Sequence, residues 1–264
     1  MFRVLPVLVL LAVLPIRGAT AQTAASGAIA GHVRLAAPAP PNPVIRMGAD
    51  PVCAQLNRVG GGEPRHPIVM RAADGGLANA FVRLEGSFPS TPAPQNPVTL
   101  DQQGCMFTPR VIGARAGQIL QVKNSDMTAH NVHGITAHGN SFNVSQPLAG
   151  MISKVALTNA ETMLRVRCDI HGWMIGYVGV VAHPYFAVSD TGGGFRIANV
   201  PPGKYTLRSW HERYGEQTRT VEVIPGKTTV VDFGYSGTEK PGAARARDLV
   251  LPERTMAYAV GPPS

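Results

Sequence analysis

The sequence predicts an all-β protein. Glycine and proline are abundant, with 29 and 23 residues in a chain of 264, whereas aromatic residues make up only 6%. Several short segments alternate apolar and polar residues, and no stretch shows the period of a long amphipathic helix. Short alternating segments separated by turn-forming residues are typical of sheets with many turns, and the length suits one or two domains.

The first 21 residues carry the features of a signal peptide. Arg3 gives a positive start, residues 4–14 are almost entirely apolar, and Ala19 and Ala21 fit the small-residue rule for cleavage. The apolar run is shorter than the ~20 residues that a membrane-spanning helix needs, and no other stretch qualifies. We therefore predict a signal peptide at residues 1–21 and a soluble mature chain, periplasmic or secreted. An uncleaved anchor is the alternative.

The region 22–97 is predicted to consist of strands and loops. Its Asp74-Gly75-Gly76 segment predicts a hairpin turn, because glycine adopts positive φ without steric cost. Proline cannot donate a hydrogen bond to a sheet, so two proline-rich segments are predicted to be surface loops. The elements are, in order, a strand at 27–35, a loop at 38–43, strands at 67–71 and 77–84, and a loop at 89–97.

Four side chains in the next region form a candidate metal site. Cys168, His171 and Met174 occur within seven residues, and His130 supplies a second imidazole upstream. Thiolate and thioether sulfur are soft ligands, and imidazole is borderline. One Cys and two His with a weak axial Met form the set that selects copper in a mononuclear electron-transfer site. The alternative is a core cysteine, a surface histidine and a packing methionine.

The strand pattern indicates how these side chains can meet. Residues 164–168 and 177–181 alternate as two strands, and Gly172 allows the loop between them to turn back. His130 follows another strand, at 118–123, through a turn-rich segment. Two strand ends at one pole of a sandwich would bring the four ligands together.

Several stretches carry a family resemblance: Phe107-Thr108-Pro109, Ala116-Gly117-Gln118, the run 124–133 and the Cys-x-x-His-x-x-Met motif at 168–174. They closely resemble the cupredoxins, the small blue copper proteins, with a ligand loop similar to that of amicyanin. The resemblance implies a Greek-key β-sandwich over residues 98–183 that holds one type 1 copper ion. It implies that Asn131 ties the two ligand loops together, since hydrogen bonds around the ligands tune a metal. The implied copper ligands are His130, Cys168, His171 and Met174.

The resemblance also implies a docking surface. By it, His171 lies nearest the surface, beside a patch of apolar residues that includes Trp173 and Ile175. Two departures affect the ligand loops. Ala129 stands where many relatives carry proline, and Gly172 stands where amicyanin carries proline. Both loosen the loops without removing a ligand, so the reduction potential is not carried over.

The other cysteines and the nearby histidines are predicted not to be ligands. If Cys168 binds metal, Cys53 and Cys105 remain, and an oxidising compartment would let them form a disulfide. Two free buried thiols are the alternative. His133 and His138 flank the site, and we predict that both are solvated loop residues.

A second module is predicted at residues 184–235. The run 189–207, with its Pro201-Pro202-Gly203 turn, resembles the carboxypeptidase regulatory-like domain, a smaller transthyretin-like β-sandwich. The module is predicted to be non-catalytic, because no zinc motif such as H-E-x-x-H accompanies it. Its predicted strands are 194–197, 204–210, 216–223 and 227–233, and a flexible tail is predicted at 236–264.

The second module is short for a complete sandwich. Its relatives begin with a Gly-x-Val strand and a Leu-x-Asn-Ala-x-Val-x-Leu strand, and both patterns occur upstream, at 31–33 and 77–84. Our hypothesis is that the copper unit is inserted in the second sandwich, so that region 22–97 supplies the first half of that sandwich. Tandem domains with an N-terminal extension are the alternative.

The Trp210-His211-Glu212 segment closes one of the predicted strands. We interpret it as a buried tryptophan with polar neighbours at the end of a sheet. A docking position or a secondary metal position is the alternative.

The predicted function is single-electron transfer by an exported type 1 copper protein that is not an enzyme, because a saturated site leaves no position for a substrate. The predicted partner is a redox protein such as a c-type cytochrome or a membrane oxidoreductase. The formal charge of +8 favours acidic partners, but Lys and Arg are too scattered for a nucleic-acid-binding signature. The alternatives are a copper-binding or copper-delivery protein that never cycles and a structural interaction module.

Overall fold

The computed structural model describes residues 25–48, 50–58, 63–136 and 138–241. The predicted signal peptide at 1–21 and the predicted tail beyond residue 241 lie outside the described residues. Along the described part of the chain, no helix combines the length and the apolar character that crossing a membrane requires.

The described residues form 17 strands and one short helix, which confirms the predicted all-β fold class. The helix, α1 (Pro51–Leu56), lies between the first two strands. The strands are β1 (Gly27–Leu35), β2 (Phe81–Glu85), β3 (Val98–Gln103), β4 (Met106–Thr108), β5 (Val111–Arg115), β6 (Gln118–Asn124), β7 (His130–Gly134), β8 (Phe142–Gln146), β9 (Ile152–Leu157), β10 (Glu161–Arg167), β11 (Ile175–Val181), β12 (Phe186–Val188), β13 (Gly194–Val200), β14 (Gly203–His211), β15 (Gly215–Val223), β16 (Thr228–Val230) and β17 (Phe233–Tyr235).

The strands from β3 to β11 form a first β-sandwich. One sheet has the order β5-β11-β10-β7-β8, and the other has the order β4-β3-β6-β9. Strand β5 runs parallel to β11, and β3 runs parallel to β6. Each strand directs every second side chain inward, so the two sheets share one apolar core. This core includes Leu100, Leu120 and Val122 from one sheet and Leu164, Val166 and Val178 from the other.

The strands before and after the first sandwich pair with one another. Strand β1 pairs with β13, β16 and β17, and β2 pairs with β12 and β14. The two sheets enclose a second core, which includes Ile29, Val33, Leu84, Leu207 and Phe233. The second sandwich is therefore discontinuous in the sequence. This is the pattern that an insertion would produce, and the domain boundaries themselves stay a prediction.

Three predicted strands differ from the structure, and one of them, at 227–233, is divided into β16 and β17. Residues 67–71, all of which are described, form no strand and contribute only an isolated bridge at Arg71. The strand predicted at 77–84 begins only at Phe81, as β2. Asn79 has a φ of 62°, and this left-handed conformation interrupts the extended backbone before the strand begins.

Buried contacts join the two sandwiches. Phe81 of β2 packs with Val111 of β5 in a small apolar cluster. Arg110 forms a buried ion pair with Glu212, which follows β14, and its Nη2 donates to Oε2 at 2.8 Å. Arg110 Nη1 also donates to the carbonyl of Ile175 at 3.2 Å. The contact between the sandwiches therefore reaches the end of the loop that carries three of the predicted ligands.

Candidate metal centre

Two adjacent strands position the predicted ligands. Strands β7 and β10 are antiparallel neighbours, so His130 at the start of β7 lies at the same end as Cys168, which follows β10. Two backbone hydrogen bonds close the loop after Cys168. The N–H of Cys168 donates to the carbonyl of Met174 at 3.1 Å, and the N–H of Met174 donates to the carbonyl of His171 at 2.8 Å. The fold thus brings the four predicted residues to one end of the first sandwich.

Three donor atoms face one another. The Nδ1 atoms of His130 and His171 are 2.9 Å apart, and Cys168 Sγ lies 3.9 Å from Nδ1 of His171. The donor atoms of this group all lie within 4.8 Å of one another. The three side chains are at most 2% exposed, and Met174 is fully buried in the same core. The donors therefore converge in a site that is closed to water.

A carboxylate holds each imidazole at its far nitrogen. His130 Nε2 lies 3.0 Å from Oδ2 of Asp126, and His171 Nε2 lies 3.0 Å from Oδ2 of Asp50. An ionised carboxylate only accepts hydrogen bonds, so each Nε2 carries a proton and donates it. This arrangement makes Nδ1 the nitrogen that can bind a metal in both rings.

The ionisable groups of the site shift one another's pKa values. Burial lowers the pKa of His130, but its hydrogen bonds to Asp126 and Cys168 outweigh burial and raise the pKa to about 9. Burial raises the pKa of the Cys168 thiol, but hydrogen bonds from His130 and from the N–H of His171 bring the pKa below its ordinary value. The metal-free site therefore favours a thiolate beside an imidazolium, and thiolate is the form of cysteine that binds metals.

Asn131 joins the two loops that carry the predicted ligands. Its Oδ1 accepts from the N–H of Asp169 at 2.7 Å and lies 3.3 Å from Cys168 Sγ. Its Nδ2 donates to Oδ1 of Asn143 at 2.8 Å and to Oδ2 of Asp169 at 2.9 Å. The side chain therefore connects β7 with the loop after β10 and holds in place the backbone next to Cys168.

The donor set fits copper. A thiolate, two imidazole nitrogens and a methionine on the same loop are soft or borderline ligands, whereas Ca²⁺ and Mg²⁺ require oxygen ligands. Two overlapping groups of side chains also converge here, but each of them needs a thiolate from Cys53 or Cys105. Those two cysteines form a disulfide, so the group built on Cys168 is the one whose thiolate is free to bind.

The disulfide predicted between Cys53 and Cys105 is present, with the Cα atoms 5.6 Å apart. It lies beside the metal centre, because Cys53 Sγ is 3.7 Å from His171 Nε2. The indole of Trp173 lies against the same imidazole, with ring centroids 5.0 Å apart. His171 is only 2% exposed as a result. It still has the highest exposed fraction of the four predicted ligands, and Trp173 and Ile175 are half-buried. The docking patch stays a prediction.

The two histidines that flank the site lie outside the donor cluster. His133 is partly exposed, and its Nδ1 is hydrogen-bonded to Oδ2 of Asp169 at 2.8 Å. His138 lies in an exposed loop. Neither residue belongs to the group of converging donor atoms, so the group of candidate ligands remains the predicted one. The predicted loop position is wrong for His133, which lies within β7.

The Trp210-His211-Glu212 segment has a structural environment. His211 is fully buried and stacks on Tyr214, with ring centroids 5.1 Å apart. Burial lowers the pKa of His211 to about 4. Glu212 is committed to its ion pair with Arg110. The segment ends strand β14, as interpreted, but its buried residue is His211, whereas Trp210 is only half-buried.

Sequence reasoning missed the two carboxylates of the site. Asp126 lies in a turn-rich segment just before the first ligand, and Asp50 lies far from the other ligands in sequence. An aspartate followed by proline, as in Asp50-Pro51, is typical of a helix N-terminus and would have predicted α1. The contact of Asp50 with His171 spans 121 residues, and no local sequence pattern signals such a contact.

Comparison with known proteins gives one family match. Residues 172–235 match the family model of the carboxypeptidase regulatory-like domain. No curated protein matches the chain.

Several solved structures are similar to parts of the chain. A copper-containing nitrite reductase from Thermus scotoductus SA-01 is 21% identical over 36% of this chain and 24% of that chain, with a TM-score of 0.29. The reduced form of a mutant of amicyanin is 16% identical over 38% of this chain and 97% of that chain, with a TM-score of 0.29. A purple cupredoxin from Nitrosopumilus maritimus is 25% identical over 28% of this chain and 81% of that chain, with a TM-score of 0.25. The chain spans about a quarter of the length of the nitrite reductase.

Proposed function

We propose that this protein is an exported blue copper protein that binds one type 1 copper ion and exchanges single electrons with a redox protein. The observation that carries the proposal is the convergence of two Nδ1 atoms and a cysteine sulfur within 4.8 Å in a buried site. When bound, copper would alternate between Cu(I) and Cu(II) and so supply the one-electron chemistry. The residues that would hold the ion in this proposal are His130, Cys168, His171 and Met174.

The residues of the chain suit this role because they hold the donors in place. Asn131 holds the backbone next to Cys168, and Asp50 and Asp126 hold the far nitrogens of the two imidazoles. Strands of one sheet carry both ligand loops. Ligands that are held in this way move little when the charge of a bound ion changes by one. The closed site offers no position for a substrate, so we propose that the protein is not an enzyme.

The proposal predicts a strong visible band that depends on Cys168. Purified protein loaded with Cu(II) is expected to show an intense thiolate-to-copper absorption and narrow copper hyperfine splitting in its EPR spectrum. Cys168→Ser should abolish both, because Cys53 and Cys105 are joined in a disulfide and supply no thiolate. Absorption and EPR spectra of the two proteins, recorded at equal copper loading, measure this effect.

His133→Ala is the matched control for this test. This variant removes the imidazole of His133, which lies close to the site and is hydrogen-bonded to Asp169. Because His133 is not one of the converging donors, the visible band should persist. If the wild-type protein is colourless and binds only Cu(I), the result would contradict electron transfer and support copper delivery. If it binds no copper, the result would support a structural interaction module.

Copper binding is expected to strengthen as the pH rises from 7 to about 9. The pKa of His130 in the metal-free protein is about 9, so at pH 7 its ring holds a proton that must leave before Nδ1 can bind a metal. The apparent Cu(II) affinity should therefore rise about tenfold per pH unit in this window and level off above it. Competition with a chelator of known affinity, repeated at several pH values, measures the slope.

Asp126→Asn provides the comparison for the pH profile. The carboxylate is one of the groups that raise the pKa of His130, so its loss should move the plateau to lower pH. An apparent affinity that stays constant between pH 7 and 9 in the wild-type protein would contradict the prediction.

The partner and the compartment complete the proposal. The predicted signal peptide supports a periplasmic or secreted protein, and the predicted partner is a c-type cytochrome or a membrane oxidoreductase. Transient redox encounters need only a small interface. In this proposal the second sandwich, which contains most of the match to the carboxypeptidase regulatory-like domain, holds the copper unit beside that partner.

A further inference from the structure

The segment 50–57 covers the metal centre of the first sandwich, although it lies between two strands of the second. We call it the capping segment. It contains α1 and lies in the connection from β1 to β2. The Cys53–Cys105 disulfide joins it to the turn between β3 and β4, and Asn57 Nδ2 donates to the carbonyl of Gly104 at 2.9 Å. These links fix its position over the site.

Asp50 divides its two carboxylate oxygens between the helix and the metal centre. It is the N-cap residue of α1, and Oδ1 accepts from the N–H groups of Val52 at 2.8 Å and Cys53 at 3.0 Å. Its Oδ2 accepts from Thr128 Oγ1 at 3.0 Å and lies 3.0 Å from His171 Nε2. The helix N-terminus therefore holds the carboxylate in a fixed orientation while its second oxygen faces the ligand.

This orientation determines the tautomer of His171. A carboxylate cannot donate, so the proton of the neutral ring lies on Nε2 and the lone pair lies on Nδ1. The contact between His171 Nδ1 and His130 Nδ1 at 2.9 Å agrees with this assignment. One of the two nitrogens must donate, and His130 is the ring with a proton available. The lone pair of His171 is therefore directed into the group of donor atoms.

We propose that Asp50 is a positioning residue of the metal centre, which fixes His171 as the Nε2–H tautomer and directs its Nδ1 towards Cys168. The inference rests on the proposed function, and it assigns the capping segment a role in that site. The capping segment connects β1 and β2 of the second sandwich, and it thereby completes the metal centre of the first sandwich. The second sandwich is then a part of the site and not only a support for it.

Asp50→Asn is the decisive variant. Its side-chain oxygen can keep the cap of α1, but its amide group would donate to His171 Nε2 in place of accepting from it. In the metal-free protein at pH 8, ¹⁵N chemical shifts of the imidazole should show the Nε2–H tautomer in wild type and the Nδ1–H tautomer in the variant. Metal affinity should fall by about 10- to 100-fold, because the ring would present a protonated Nδ1.

Two further variants separate positioning from folding. Asp50→Ser retains a good N-cap but has no second oxygen for His171, so the helix should persist while the tautomer preference weakens. Asp190→Asn changes another aspartate that accepts backbone N–H groups in a turn, far from the site, and should change neither measurement.

The two readouts distinguish this inference from the proposed function. The tautomer is measured without metal, so it is informative even if wild-type protein forms no blue copper centre. An Nε2–H tautomer that persists in Asp50→Asn, together with unchanged metal affinity, would overturn the positioning role. If Asp50→Asn reverses the tautomer of His171 but the wild-type protein shows no copper band, the positioning role is supported and the proposed function is overturned.

Discussion

Replacing Glu212 with glutamine is expected to lower the free energy of unfolding by about 3–5 kcal/mol. The side chains of Arg110 and Glu212 are only 4% and 7% exposed and make two hydrogen bonds to each other. Neutralising Glu212 leaves the guanidinium charge buried without a counter-charge, and this uncompensated charge is the source of the loss. Urea unfolding of the metal-free protein measures the change.

A surface pair provides the matched control. Lys204 and Glu222 lie 4.0 Å apart with side chains that are 74% and 65% exposed, so Glu222→Gln should cause no measurable change. Adding Arg110→Met to Glu212→Gln removes both charges and should recover much of the lost stability. Equal effects of Glu212→Gln and Glu222→Gln would show that the buried pair has no special importance.

The Arg110–Glu212 pair is also a link between the two sandwiches. Arg110 precedes β5 of the first, whereas Glu212 follows β14 of the second. Arg110 Nη1 donates to the carbonyl of Ile175, the residue after Met174, at 3.2 Å. The rings of Tyr177 and Trp210 meet across the same interface, with centroids 5.0 Å apart. The second sandwich therefore contacts the ligand loop in two places, through the Arg110–Glu212 pair and through the capping segment.

Local patterns in the sequence predicted most of the strands and the short loop that carries three of the candidate ligands. The strand at 27–35 and the strands on both sides of Cys168 alternate apolar and polar residues, and this alternation follows directly from the geometry of a strand. The spacing of Cys168, His171 and Met174 lies within one loop, so one local motif reports most of the candidate site.

The disulfide between Cys53 and Cys105 was predicted, but other contacts between distant parts of the chain were not. Asp50 and His171 meet only because the capping segment folds over the ligand loop, and a local pattern carries no information about that approach. The capping segment also explains why His171 is only 2% exposed. The strand at 77–84 began late for a local reason, since Asn79 adopts positive φ, which alternation of apolar residues does not report.

Removing the Cys53–Cys105 disulfide is expected to lower the free energy of unfolding by about 4 kcal/mol. The two cysteines are 52 residues apart in sequence, and a cross-link that closes a loop of this length removes conformational entropy from the unfolded chain. The variant is Cys53→Ser combined with Cys105→Ser. Urea unfolding of the metal-free protein, with and without a thiol reductant, measures the effect.

The loop closed by this disulfide contains β2 of the second sandwich and β3 of the first, so the cross-link constrains both in the unfolded chain. Because Phe81 and Arg110 join the sandwiches through buried contacts, we expect a single transition that shifts as a whole. Reductant should shift the urea unfolding curve of the wild-type protein towards that of the double variant, and it should not change the curve of the double variant. If two unfolding transitions are observed and loss of the disulfide shifts only one of them, this expectation is contradicted. The disulfide would then stabilise only one of the two sandwiches.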